Sequence, residues 1–171
     1  MNKALKFNFF ALIFLCCYFK LNAQITLTHN CGPLIKTTDH SCTYTNIYWA
    51  RDFLLSDYGI DSNEDLVLTE GQVAISYTTW GTSIKFNIYE IDDNFPDSFS
   101  TATLIGSSQA QTLPYTSIQD PNATVITVNF QDPIIVPANV DRILVEVKKL
   151  VTTNASSLAH IAGTTNDTGI S

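Results

Sequence analysis

From Ser83 to Ile91 the chain reads Ser-Ile-Lys-Phe-Asn-Ile-Tyr-Glu-Ile, so that Ile84, Phe86 and Ile88 alternate with Lys85, Asn87 and Tyr89. A period of two puts one face of a strand in a core and turns the other away from it. The best partner for this strand is Arg142–Lys149, where Ile143, Val145 and Val147 face in and Arg142, Glu146 and Lys148 face out or across. Pro137 and Asn139 mark the turn before it. No segment carries a sustained apolar stripe of helical period. Strand-like runs instead recur every ten or so residues with turn residues between them, which predicts an all-β chain folded as an antiparallel, jelly-roll-like β-sandwich.

The remaining strands follow from the same reading. Thr45–Phe53 is rich in aromatic and β-branched residues, and Leu66–Thr79 is one long or two short strands, with Gly71 a bulge or turn and Val73, Ile75 and Tyr77 on one face. Ser56–Asp65 and Asp92–Asp97 are acidic turns, and Trp80-Gly81-Thr82 turns the chain into the strand that begins at Ser83. A short strand is expected at Thr101–Ile105 and a long surface connection from Gly106 to Asn122. Val125–Phe130 and Ile134–Val136 are expected as two strands on either side of Asp132-Pro133, and Leu158–Gly163 as the last one.

The first 23 residues have a different character. Lys3 and Lys6 precede the apolar run Phe7–Phe19, and Leu21-Asn22-Ala23 sets a small residue before Gln24, the layout of a secretory signal peptide cut after Ala23. The run is shorter than the roughly 20 residues that cross a bilayer, and Lys20 ends it. Residues 24–171 then form a secreted or cell-surface protein with no membrane segment of its own. The chain reaches Ile170-Ser171 without a closing turn or tail, so further C-terminal modules of the same polypeptide are expected.

Charge narrows the partners. Sixteen acidic residues stand against nine basic ones, and all of the acids but only six of the bases lie after Ala23, giving that part a formal charge of −10. Such a surface repels phosphate backbones and anionic lipid, which excludes nucleic acid. The 45% hydrophobic content, with ten Phe and seven Tyr, is enough to fill a core.

Cys31 and Cys42 are the two cysteines beyond the signal, and in an exported chain they are most simply one disulfide, closing a loop within residues 24–43 and worth about 2–3 kcal/mol. The repeated His29-Asn30-Cys31 and His40-Ser41-Cys42 also contain a zinc-ligand set, but the one-residue spacing is tight and an oxidising compartment consumes the thiols. Thr38-Asp39-His40-Ser41-Cys42 misses the spacing around a chymotrypsin-like histidine by one residue, and no Gly-Asp-Ser-Gly follows it. That similarity is read as chance.

Several segments together carry a resemblance: Ile47-Tyr-Trp-Ala-Arg-Asp-Phe53, Leu55-Ser-Asp-Tyr-Gly59, Ile84-Lys-Phe-Asn-Ile-Tyr89, Phe95-Pro96, Leu104-Ile-Gly106 and Ile134-Ile-Val-Pro-Ala138. Between about Tyr44 and the end, the chain resembles a β-sandwich module of secreted multidomain proteins of Bacteroidetes, often followed by other modules and a C-terminal sorting segment of the type IX secretion route. The resemblance implies an accessory or adhesive role and no catalytic residues, and this chain carries no sorting tail.

Three kinds of chemistry are open to such a chain. Asp57, Asp61, Asn63, Glu64 and Asp65 crowd one turn, and Asp92, Asp93, Asn94 and Asp97 another, offering the oxygen ligands of calcium; Asp57, Asp61, Asn63 and Asp65 are the candidate set. Leu66 stands where an EF-hand loop needs glycine, and ordinary solvated turns have the same composition. Trp80, Tyr58 and Tyr115, on turns and loops, are candidates for stacking on a sugar ring, whereas Trp49 reads as core. For catalysis the three histidines His29, His40 and His160 stand in no metalloprotease pattern, and neither a nucleophile elbow nor a phosphate-binding glycine loop is present. The expectation is a non-catalytic module, without a cofactor other than calcium, that binds polysaccharide or a surface protein or acts as a spacer. Its variants are a calcium-dependent carbohydrate-binding module and an accessory domain of a secreted hydrolase.

Overall fold

A computed structural model describes residues 24–29, 33–40, 47–61, 63–117, 122–150 and 157–164, with the backbone alone for 35–40 and Thr164. Nine strands occur among them: β1 (Leu34–His40), β2 (Tyr48–Leu54), β3 (Leu66–Thr78), β4 (Ser83–Glu90), β5 (Thr103–Ser107), β6 (Gln111–Thr112), β7 (Thr124–Val136), β8 (Arg142–Lys149) and β9 (Ala159–Thr164). They form two antiparallel sheets, one in the order β1-β9-β3-β7 and the other β2-β8-β4-β5, with β6 also paired to β4. The protein is an all-β sandwich, and its core is filled from both sheets. The signal segment, Cys31 and Cys42 lie outside the described residues.

The alternation that begins at Ser83 does what its period requires. Ile84, Phe86 and Ile88 are buried, and β4 pairs with β8 so that Phe86 stands opposite Val147 and Ile88 opposite Val145. The other face is less open than alternation alone implies. Asn87 and Glu146 are both 4% exposed and are cross-strand neighbours there. The Asn87 amide donates to Glu146 Oε1 at 2.5 Å, and Ser107 Oγ donates to Asn87 Oδ1 at 2.6 Å, so a row of hydrogen bonds across β8, β4 and β5 compensates their burial. Tyr89 shares this face, and burial, followed by the nearby Glu146 carboxylate, holds its phenol above the usual range.

Other elements differ from the sequence reading for identifiable reasons. β7 runs unbroken through Asp132-Pro133, because it is an edge strand where proline's missing N–H leaves no ladder bond unmade. Its register against β3 shifts there, Leu68 pairing with Ile134 and Glu70 with Asn129. A second irregularity, between Ile75 and Tyr77 where β3 meets β9, leaves Thr78 rather than Tyr77 fully buried. Leu34–His40, read as part of an N-terminal loop, is a strand against β9, consistent with its Leu-Ile and paired threonines. The stretch after Gly106 contains β6, and Ser56–Asp65 opens with a single 3-10 turn, Leu55–Tyr58, closed by Gly59 in the left-handed region at φ 70°.

Gly71 is neither a bulge nor a turn. It pairs with Val128 in mid-strand, and a Cβ at this position would lie 2.8 Å from the ring of Phe86 on the opposite sheet. Gly106 on β5 is the reciprocal case, 2.8 Å from Ile134 on β7. Each sheet thus omits a side chain where the other inserts a large one. Gly71→Ala is expected to lower stability by about 1–3 kcal/mol through overpacking, and Phe86→Leu in the same chain to recover part of the loss. Urea-unfolding midpoints of the parent and these two variants check this.

Candidate functional site

Strand directions assign the candidate residues to two ends. β2 and β4 both run antiparallel to β8, so the connections leaving Leu54 and Glu90 emerge at the same end, and they carry Asp57–Asp65 and Asp92–Asp97. The turn after Thr78, with Trp80, lies at the far end of β3, roughly 40 Å away for a 13-residue strand. The acidic loops and Trp80 therefore do not form one site.

At the acidic end several of the carboxylates accept hydrogen bonds from the loops themselves. Asp61 Oδ1 accepts the backbone N–H of Asn63 at 2.9 Å and its side-chain amide at 2.6 Å. Asp65 Oδ1 accepts the N–H of Ala138 at 2.8 Å, tying this loop to the turn before β8, where Asn139 adopts φ 75°. Asp57 sits exposed on the 3-10 turn. Asp92 Oδ1 accepts Ser98 Oγ at 2.5 Å and the N–H of Asn94 at 2.9 Å, while Arg142 reaches Asp52 at 2.9 Å and Asp93 at 3.4 Å. Among the described residues no three acidic, histidine or cysteine side chains converge as a metal site. A cavity of about 250 Å³ opens here between Leu55, Ile60, Leu66, Val136 and Val140, with Asp61 and Glu64 at its lining.

Tyr58 belongs to this end and not with Trp80. Its hydroxyl donates to the carbonyl of Thr28 at 3.0 Å and its ring leans on Phe53 at 5.9 Å, so it fastens the N-terminal segment to the sandwich. His29 lies edge-on to Phe53 at 4.6 Å, and His160 edge-on to Tyr77 at 5.1 Å. Both described imidazoles are packing residues on separate elements.

The opposite end brings two candidates together. Trp80, 73% exposed, and Tyr115, 47% exposed, stack with ring centroids 5.3 Å apart and planes 12° from parallel. The base beneath them is made of threonine. Thr78 and Thr82 have no exposed surface; Thr78 Oγ1 donates to the carbonyl of Pro114, and Thr82 Oγ1 lies 3.0 Å from the Thr79 carbonyl and 3.1 Å from that of Leu158. The Leu158 N–H donates to Thr79 Oγ1 at 2.7 Å, the Thr79 N–H returns to the Leu158 carbonyl at 3.1 Å, and Thr78 and Thr116 form an isolated antiparallel bridge. Gly81, at φ 78°, lets the turn reverse direction tightly. Trp80 and Tyr115 are thereby mounted on backbone fixed from three sides. Lys149 ends β8 nearby with its side chain in the core, its Nζ donating to the Ser157 carbonyl, and burial lowers its pKa from the ordinary lysine value.

Tyr115 was visible in the sequence only as a loop aromatic. Its pairing with Trp80, 35 positions earlier, depends on the bridge between Thr78 and Thr116. The row of Glu146, Asn87 and Ser107 had no sequence signal beyond a polar residue in an apolar strand. Searches against family models, curated proteins and solved structures return no match to this chain.

The Asp92 turn yields a pH prediction. The Ser98 hydroxyl, and then the Asn94 N–H, favour the ionised form of Asp92 and hold its carboxyl below the ordinary 3.8. With a folded value below the unfolded one, the contribution to stability is present above 3.8 and is lost as pH falls through the folded value. Ser98→Ala is expected to move the Asp92 titration, followed by carboxyl NMR, back up toward 3.8.

Proposed function

We propose that this chain is a non-catalytic binding module of an exported protein, and that its working element is the Trp80–Tyr115 pair, which takes carbohydrate. The observation that carries the reading is the pair itself: two large rings held stacked in solvent on a fixed base. Exposing a tryptophan gives up the burial that would otherwise stabilise the fold by about 2 kcal/mol or more. The buried threonine hydroxyls beneath it remove the entropy that a loop would lose on binding. Rings that are open on one side and immobile on the other suit a ligand with a flat, weakly polar face.

The signal-like N-terminus supports an extracellular setting, and the resemblance to modules of secreted Bacteroidetes proteins supports a place within a larger polypeptide. The strand orders β1-β9-β3-β7 and β2-β8-β4-β5 support a jelly-roll-like form of the sandwich, since both sheets interleave strands from the front and back of the chain.

Trp80→Ala is expected to leave the melting temperature within a degree or two of the parent, because the side chain is largely outside the core, and to abolish retention on immobilised polysaccharide. Affinity electrophoresis of parent and variant in polysaccharide-containing gels measures this. Equal retardation of the two proteins would contradict the reading.

A further inference from the structure

We infer that the glycan taken by the Trp80–Tyr115 pair is uncharged, and that it is held one pyranose ring at a time on the open face of Trp80 without a metal ion. This rests on the binding reading above and narrows it.

The chemistry of that end supplies the argument. From Ser76 to Ile84, and again from Ser107 to Ser117, the two segments that carry the pair contain no charged residue, in a chain whose formal charge is −7. Two of the three lysines at this end of β4 and β8 have partners of their own, and none of the three is on the segments that carry the rings. Lys149 is buried on the Ser157 carbonyl, while Lys85 and Lys148 are cross-strand neighbours on the outer face of their sheet, Lys148 Nζ lying 5.1 Å above the ring of Tyr48. A uronate or sulfated glycan would therefore approach a net-negative protein where, among the described residues, no hydrogen bond or ion pair brings a cation to Trp80 or Tyr115, so that its charge gains little to offset desolvation and repulsion. A metal bridge between glycan and protein is excluded on similar grounds. It needs protein carboxylates, and among the described residues both acidic loops stand at the other end of the sandwich, roughly 40 Å along β3 for Asp57–Asp65 and roughly 25 Å along β4 for Asp92–Asp97.

Ring geometry sets how much of the glycan is held. Because Tyr115 lies nearly parallel to Trp80 with centroids 5.3 Å apart, it overlaps part of one indole face in an offset stack, and Trp80 keeps 73% of its surface in solvent. The stack can be continued by one more ring along its normal. A pyranose with equatorial hydroxyls presents a patch of C–H bonds on its face, which the electron-rich indole face attracts, while its hydroxyls stay in water at the rim. Tyr115 is the one exposed ring that stacks with Trp80 among the described residues, and Tyr48, exposed at the start of β2, has Lys148 Nζ over its ring, so a neighbouring sugar finds no matching platform. Affinity for a single site is then weak, and firm attachment comes from several modules or repeated sites on one polysaccharide.

The test titrates the whole chain with two panels followed by tryptophan fluorescence and calorimetry. One panel holds uncharged polysaccharides (α- and β-linked glucans, xylan, mannan, galactan), the other acidic ones (polygalacturonate, alginate, a sulfated galactan), each in EDTA and in excess calcium. At least one uncharged polysaccharide is expected to bind equally in both buffers, and the acidic panel to bind more weakly. Trp80→Ala is expected to weaken binding about tenfold or more, with Trp80→Phe keeping most of it. Preference for the acidic panel, or loss of binding in EDTA, would overturn this inference while leaving the Trp80 site intact. Binding of neither panel, or binding indifferent to Trp80→Ala, would overturn both this inference and the reading beneath it.

Discussion

Three buried or half-buried threonines at one corner hold one end of this sandwich together. The chain leaves the four-stranded sheet at Thr78 and enters the five-stranded one at Ser83, and the hydroxyls of Thr78, Thr79 and Thr82 fasten that crossing to Pro114 and to Leu158, just before β9. A tight corner between sheets exposes backbone carbonyls and N–H groups that neither ladder satisfies, and a buried one left unpaired costs about 1–3 kcal/mol. Threonine answers the need with a small donor and acceptor that stays compatible with extended backbone. The same corner lifts Trp80 into solvent, and the bridge between Thr78 and Thr116 brings Tyr115 to it.

Between the ends, the two sheets are fitted to one another by reciprocal omission. Gly71 makes room for Phe86, and Gly106 for Ile134, so large side chains from opposite layers interdigitate without pushing the sheets apart. At the acidic end the loops are held by their own carboxylates and by Arg142, which draws β2 and the Asp92–Asp97 turn toward the start of β8. Among the described residues the molecule thus has one end rich in carboxylates, several of them hydrogen-bonded within their own turns, and another whose ring-bearing segments, Ser76–Ile84 and Ser107–Ser117, carry no charge.

How much of this was legible follows from which interactions are local. The alternation in β4 and β8 announces itself because burial of one strand face imposes a period of two, and both segments are central strands. An edge strand obeys weaker rules, which is why Asp132-Pro133 looked like an interruption and is only a register shift within β7. Leu34–His40 was overshadowed by the cysteines around it, although its β-branched residues are those of a strand. The burial of Glu146 and Asn87 was hidden because each is satisfied by a residue on a neighbouring strand. Acidic turns read equally well as calcium loops or solvated turns, and the hydrogen bonds that Asp61, Asp65 and Asp92 accept within and between these turns had no signal in the sequence. The aromatic pair needed both: each ring was recognisable by its loop position, but their meeting is a property of the fold.

The Trp80–Tyr115 pair is mounted on a hydrogen-bonded corner, and amide hydrogen exchange reads the rigidity of that corner directly. The N–H groups of Thr79, Thr116 and Leu158 donate to partners within this corner. Protection of these three amides comparable to that of β4, in a turn that carries the most exposed tryptophan, is the predicted result. Exchange as fast as in an unprotected loop would mean that the rings ride on a mobile turn, and would contradict the preorganised surface on which the functional reading depends.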